Sequence, residues 1–316
     1  MGFETMLRIR PLEREDLDEA ERILRLAFDT FLGLKPPQSN FGDRDLVRTR
    51  WRTDPKSAVA AELDGRLVGS NFTTCWGTVS FFGPLSVRPE LWNQGIGRRL
   101  LESAVTQFAQ WQSRHVGLFT FANSPGHAAL YQHFDFWPRF VTAIMSKAPV
   151  KSADTNFLLY SQATKEEKQT LISRCASITD AIYPGLDVGR EIRAVQAQNL
   201  GDTLLVLRDS KVAAFAVCHI GAGTEAGSGN CYVKFGAARP GSQVSRDFGQ
   251  LLKACESLAA ARGLRTIRAG VNLGRIESYR CLLEQGFKTE MHGIAMQRAN
   301  DEGYNRPRIY VLDDWR

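Results

Sequence analysis

No stretch of this sequence stays apolar for the roughly 18 to 20 residues that a membrane-spanning helix requires, so an integral membrane protein is not expected. The opening MGFETMLRIRPLERED is too charged for the apolar core of a secretory leader, which predicts a cytoplasmic chain. Cysteine is sparse and unpatterned. The six, at 75, 175, 218, 231, 255 and 281, include no C-x-x-C pair and no histidine at ligand spacing, so they read as reduced packing residues and no metal is expected. Charge of one sign is scarce too: 40 Lys and Arg against 34 Asp and Glu leave +6, interspersed, with no basic run or reader motif. Neither nucleic acid nor a membrane is therefore an expected partner. An ordinary solvated surface, or a basic pocket for an anionic cofactor, accounts for the excess.

What is present is a globular composition, 43% hydrophobic and 23% charged, in 316 residues, enough for two domains with their own cores. LRIRPLEREDLDEAERILRLAF predicts a strand, a turn at Pro11 and a helix buried through Leu17, Ala20, Ile23, Leu24 and Ala27, with Asp16 near its cap. Residues 32–55 are rich in Pro, Gly, Asn and charge and predict a loop with one short helix after Asp45. Three strands follow, with an Asp64-Gly65 turn between the first two, the last ending at Val87. From Gly95 a helix buries Ile96, Leu100, Ala104, Phe108 and Trp111; then come the strand HVGLFTFAN, a helix capped by Ser124, and the strand FVTAIMSK. The alternation predicts an α/β unit with a mixed sheet over residues 1–148, and 149–156 reads as a linker.

The order then recurs. Pro89 and Pro240, Leu100 and Leu251, Phe136 and Phe287, and Met145 and Met296 all lie 151 residues apart. The hairpin LDGRLVGS has a counterpart in RDSKVAAF, which marks residues 157–316 as a second copy of the same domain.

One loop carries chemistry. A strand ending in a glycine-bearing loop that enters a helix offers backbone N–H groups at a positive helix terminus, an anion site, or simply a tight turn with two surface arginines. Gly95 and Gly97 permit close approach, and Arg98 and Arg99 add charge. The loop lacks the G-K-[ST] of a P-loop and the third glycine of a dinucleotide site. Leu85-Ser86-Val87-Arg88-Pro89, then Gly95-Ile96-Gly97, then Arg98-Arg99-Leu100-Leu101 resembles the coenzyme A pyrophosphate loop of the GNAT superfamily of N-acetyltransferases, except that Trp92 stands where that family has Gln or Arg. Leu130-Tyr131 and Phe136 fit the family's later N-x-x-A-x-x-L-Y-x-x-x-G-F pattern, with His127 on its Ala, Ser124 on its Asn and Asp135 on its Gly. Aspartate enters the left-handed region more readily than most residues.

The resemblance implies acetyl-CoA as cosubstrate, with no metal, and a small-molecule or peptide amine as acceptor. It places the diphosphate on backbone donors of Gln94, Gly95, Ile96, Gly97, Arg98 and Arg99, and the pantetheine along Leu85, Ser86 and Val87. Asn123, or Ser124 beside it, would meet the pantetheine's far arm, and Tyr131 would protonate the leaving sulfur. A general base is not assigned; His127, Asp43, Asp45 and Glu62 are the groups available. The loop at 40–55 is expected to edge the acceptor site, with Trp51 stacking and Asp43 or Asp45 attracting a cation, or else to be a solvated connector. In the second copy Gly95, Ile96, Gly97 and Tyr131 become Arg246, Asp247, Phe248 and Leu282, so that copy is expected to keep the fold without the chemistry, or to hold the acceptor or a partner. Two functions stay open: N-acetyl transfer, and a coenzyme A-binding sensor or scaffold without catalysis.

Overall fold

The computed structural model of the chain describes residues 6–35, 40–150 and 156–316. The first half runs β1 (Leu7–Pro11), α1 (Leu17–Phe31), α2 (Val47–Thr53), β2 (Ala58–Leu63), β3 (Arg66–Trp76), β4 (Val79–Val87), α3 (Ile96–Gln110), β5 (His115–Phe121), α4 (Pro125–Gln132) and β6 (Phe136–Lys147). The second runs β7 (Phe157–Leu159), α5 (Lys165–Ile182), α6 (Gly189–Ala197), β8 (Gly201–Arg208), β9 (Lys211–Gly221) and β10 (Gly227–Ala238). It continues with α7 (Val244–Ala261), β11 (Thr266–Asn272), α8 (Ile276–Glu284), β12 (Lys288–Arg298) and β13 (Val311–Leu312).

Local signals place most of these elements. Leu17, Ala20, Ile23, Leu24 and Ala27 are all buried, as their helical spacing requires. Along β2 and β3, Ala58, Ala60 and Phe72 pack with α1, while Ala61 and Val68 pack with Ile96 and Leu100 of α3, so the sheet is sandwiched between helices. Asp64 and Gly65 join β2 to β3 at φ 48° and 77°, a turn whose twist matches that of the strands. Asp135 takes φ 63°, and its counterpart Gly286 takes 84°. Two caps differ from expectation. Asp16 accepts from the Glu13 N–H at 2.9 Å and from Arg10 at 2.6 Å, fixing the β1–α1 turn rather than capping α1. Ser124 spends its hydroxyl on His127 Nδ1, 2.8 Å away.

All the strands join one 13-stranded sheet in the order β1-β2-β3-β4-β5-β12-β6-β11-β10-β9-β8-β7, with β13 paired to β10. The repeat is visible in its register. The parallel pair β4–β5 runs from Val79↔His115 to Phe82↔Leu118, and β10–β11 from Asn230↔Thr266 to Val233↔Ala269, each residue 151 beyond its counterpart. The closing strands, however, are exchanged: β12 pairs with β5 of the first half, β6 pairs with β11 of the second, and the two lie side by side. Division by chain order at 148 and 157 and division by sheet therefore part company at these two strands. Of the expected linker, residues 151–155 lie outside the described residues.

The core is continuous across the halves. Trp76 packs edge-on against Phe81 and Phe235, and Phe81 stacks on Trp315. All six cysteines are free thiols, and Cys175, Cys218, Cys231, Cys255 and Cys281 are buried. Among the described residues no helix is long and apolar enough to cross a membrane, and no group of three His, Cys, Asp or Glu converges to hold a metal ion.

Candidate active site

Beyond Phe82 and Leu118, β4 and β5 part. Gly83, at φ 139°, and a register shift opposite Asn71–Thr73 turn β4 away, while β5 continues against β12 as far as Phe121↔Gly293. No described strand pairs with the β5-facing edge of β4 past this point. The opening is part of a cavity of about 630 Å³ that is lined by both halves, within the size range of small-molecule sites.

At one end stands the glycine loop. Gly95 occupies the left-handed region at φ 81°, where a side chain is strained, and no side chain caps the first turn of α3 behind it. Among the described residues the N–H groups of that turn have no side-chain partner, an arrangement suited to an anion. At Gly97 an added Cβ would touch only Leu130 and Leu85, at 3.7 and 3.8 Å, so the protein itself does not demand glycine there. Arg98 and Arg99 are about half exposed, each 3.3 Å from Glu102. Trp92 donates its indole N–H to Val87 O at 2.8 Å, pinning the loop to the end of β4.

Tyr131 lies in α4, over the point where the strands part, its ring 5.5 Å edge-on to Phe82. Burial pushes its phenol up to about 12, against the opposing effect of a hydrogen bond from Thr120, so it stays protonated at neutral pH. His127, one turn earlier, stacks 6.3 Å from Tyr131 and lies tilted 5.1 Å from Phe31. Burial lowers its pKa, which keeps the ring neutral.

Of the residues singled out in the sequence, Leu85, Ser86, Val87, Gly95, Ile96, Gly97, Arg98 and Tyr131 line this cavity. Gln94, Arg99 and Asn123 are exposed and lie off its wall; Ser124 is on it. The 40–55 loop does edge the cavity, but through Asn40, Phe41, Arg44, Leu46 and Arg50. Trp51 instead donates to Leu12 O at 2.8 Å, Asp43 accepts from the Ser228 N–H at 2.8 Å, and Asp45 accepts from the Arg48 N–H at 2.8 Å. Glu62 is taken by Arg10 at 2.7 Å.

Sequence reasoning missed the far wall. Arg50 is buried, donates to Gly83 O at 2.5 Å and pairs with Glu225 at 2.9 Å, so the second half braces the turn that opens the cleft. Glu225 also binds Lys234 at 2.7 Å, and these two cations hold its carboxyl well below the usual range. Tyr232, Arg268, Glu290, Trp315 and Arg316 complete that wall. Apart from the 40–55 loop, nothing local marks them, because they come together through the strand exchange.

The second copy shows what closes a cleft. At its loop Phe248 is fully buried and Asp247 is ion-paired with Arg208. The opening between β10 and β11 is filled by the chain's own last residues. β13 adds to the edge of β10 as Gly236↔Leu312 and Ala237↔Val311, and the Ala238 N–H donates to Tyr310 O at 3.1 Å. Asp313 is fixed by Arg275 at 2.8 Å and by Tyr304 at 2.6 Å, and Asp314 by Tyr232 at 2.9 Å. Gly270 leaves room for Asp314, as Gly117 of β5 does for the ring of Trp315.

Comparison with known proteins agrees with this geometry. The acetyltransferase (GNAT) family model matches residues 20–136. Among solved structures, a Pyrococcus horikoshii protein assigned as an acetyltransferase superimposes with TM-score 0.69 at 13% identity, covering 100% of this chain and 96% of that one. A GCN5-related N-acetyltransferase from Sphaerobacter thermophilus gives 0.61 at 14%, covering 92% and 95%. A tandem GNAT protein from the clavulanic acid biosynthesis pathway gives 0.55 at 12%, covering 92% and 98%. No curated relative matches by sequence. Residues 20–136 thus match the acetyltransferase (GNAT) family model, and along its whole length the chain has the fold of two-domain GNAT proteins.

Proposed function

We propose that this chain transfers an acetyl group from acetyl-CoA to a primary amine by direct attack within a ternary complex. The observation that carries the proposal is the cleft beyond Phe82 and Leu118, with an uncapped glycine loop at one end and a buried, protonated tyrosine over its apex. The residues present suit the cosubstrate: the N–H groups at the start of α3 and the charge of Arg98 fit a diphosphate, and the edge of β4 from Leu85 to Val87, which no described strand pairs and where Trp92 takes only the Val87 carbonyl, fits an extended amide-bearing arm. Ser124 lines the cavity and the exposed Asn123 does not, which favours Ser124 as the partner of that arm. When bound, acetyl-CoA supplies the acyl group as a thioester.

Tyr131 donates its proton to the sulfur as the new N–C bond forms and the C–S bond breaks, and Thr120 stabilises the phenolate until solvent reprotonates it. His127 accepts the proton that the amine loses. It is neutral and on the cavity wall, whereas Asp43, Asp45 and Glu62 are engaged elsewhere and Glu225 is held ionised between two cations. Thiol release from acetyl-CoA across a panel of primary amines tests this reading. Turnover that depends on the amine is expected; tight binding of acetyl-CoA with no thiol release from any amine would favour the sensor or scaffold instead.

A further inference from the structure

Besides Arg98, four arginines line the cavity: Arg44, Arg50, Arg268 and Arg316. Three have a carboxylate. Arg50 holds Glu225 at 2.9 Å, Arg268 holds Glu290 at 2.8 Å, and Arg316 holds Asp314 at 3.0 Å. Among the described residues the Arg44 side chain has neither hydrogen bond nor ion pair, although it is half-buried. Burial and the positive charges of Arg268 and Arg316 work against its own charge and outweigh the support it draws from Glu290 and Tyr232, and with Glu290 and Asp314 set against three guanidinia the site is short of one anion.

Arg44 is not a loose surface residue. Its carbonyl accepts from Arg25 at 2.7 Å, and its stem lies against Gly227. The flanking residues are tied to the second half: Asp43 O takes the Gly223 N–H and the Asp45 N–H reaches Thr224 O, both at 3.1 Å. Its companions are equally fixed. Tyr232, Arg268 and Ser146 are neighbours across β10, β11 and β6, and Glu290 accepts from Ser146 at 2.7 Å and from Arg268. Arg316 lies over the Tyr232 ring, 5.1 Å from its centroid. A guanidinium held in place and unpaired suits the two oxygens of a carboxylate or phosphate.

We infer that Arg44, with Arg268 and Arg316 beside it, receives the anionic group of the acceptor, so that the amine acetylated is a small molecule bearing a carboxylate or phosphate. This rests on the acetyl-transfer reading for the amine, but the anion site stands on its own geometry. The second half thereby has a part in the chemistry: it supplies most of the acceptor's wall.

The test compares wild type, Arg44→Gln and Arg44→Lys in two measurements. The first is thermal shift with malonate and with inorganic phosphate as probes, with coenzyme A affinity by calorimetry as the control. Stabilisation by one or both anions is expected in wild type, lost in Arg44→Gln and partly kept in Arg44→Lys, with coenzyme A affinity the same in all three. The second is thiol release with matched amines, ethanolamine against O-phosphoethanolamine and propylamine against β-alanine. A preference of roughly 10²-fold in kcat/KM for the anionic member of one pair is expected, collapsing in Arg44→Gln; which pair responds distinguishes phosphate from carboxylate. No anion shift in wild type, a shift that survives Arg44→Gln, or equal turnover of neutral and anionic amines overturns the inference. An Arg44-dependent anion shift with no thiol release from any amine would uphold the anion site and overturn acetyl transfer.

Discussion

The two halves share a strand register offset by 151 residues, yet one cleft is open and the other is closed. At Gly95–Gly97 the first offers bare N–H groups at the start of α3; at the matching place the second sets Asp247 and a buried Phe248. The edge that β4 leaves free is covered on β10 by β13. Fold and site thus answer to different residues: the register follows from buried positions such as Leu100 and Leu251, which both copies keep, whereas ligand access follows from a few loop residues and from what lies across the edge.

The largest effect is expected where one residue would make the first loop resemble the second. Gly97→Glu should abolish coenzyme A binding by calorimetry with the thermal midpoint little changed, because the site has room for a Cβ and the loss falls on the ligand. Gly95→Val should do the same but also unfold earlier, since φ 81° strains any β-branched residue. Unchanged affinity in Gly97→Glu would remove the loop from the binding site. Next in size, Tyr131→Phe, a step towards the second copy's Leu282, should lower kcat by roughly 10²- to 10⁴-fold with acetyl-CoA affinity nearly constant. Normal turnover would reduce Tyr131 to packing against Phe82.

The halves can also be compared by titration. His115 of β5 and His219 of β9 are buried, their ring nitrogens lack partners among the described residues, and burial lowers both to about 4. Each is neutral when folded, while the unfolded chain takes up its proton near the ordinary value of about 6.5. Stability is therefore complete above pH 6.5 and is lost as pH falls towards 4, by roughly 3 kcal/mol per histidine at most. Denaturant titrations of His115→Gln and His219→Gln between pH 7 and 4 should each show a flatter dependence than wild type; identical slopes would show that neither is buried neutral. The smallest effect sharpens the comparison most. Asp247→Asn removes the carboxylate of the second loop, which is paired with Arg208, yet one coenzyme A per chain is expected, because β13 still covers β10. A stoichiometry of two would show that the carboxylate, not the covering strand, excludes the ligand.

Much of this was legible in the sequence. The order of elements through residue 148, the Asp64-Gly65 turn and the left-handed Asp135 follow from local spacing and side-chain chemistry, which act over a few residues. Motif singles out Tyr131 and the glycine loop, which line the cavity. The exchange of β6 and β12 was not, because the two strands occupy matching places in the repeat and periodicity does not name a strand's partner. Arg44 and Arg50 belong to the segment expected to edge the site, but its aromatic and acidic residues carry the sequence signal while its arginines hold the wall. Arg268, Glu290 and Arg316 are separated from the glycine loop by more than half the chain, and only the folded sheet brings them near it.

The crossing of the two closing strands has a consequence for inheritance. Neither copy can be shed: without the second, β5 loses β12, and without the first, β11 loses β6. A duplicate that merely docked against its twin could drift away. This one is woven in, and a cut between residues 148 and 157 should leave two fragments that elute together until denaturant separates the strands.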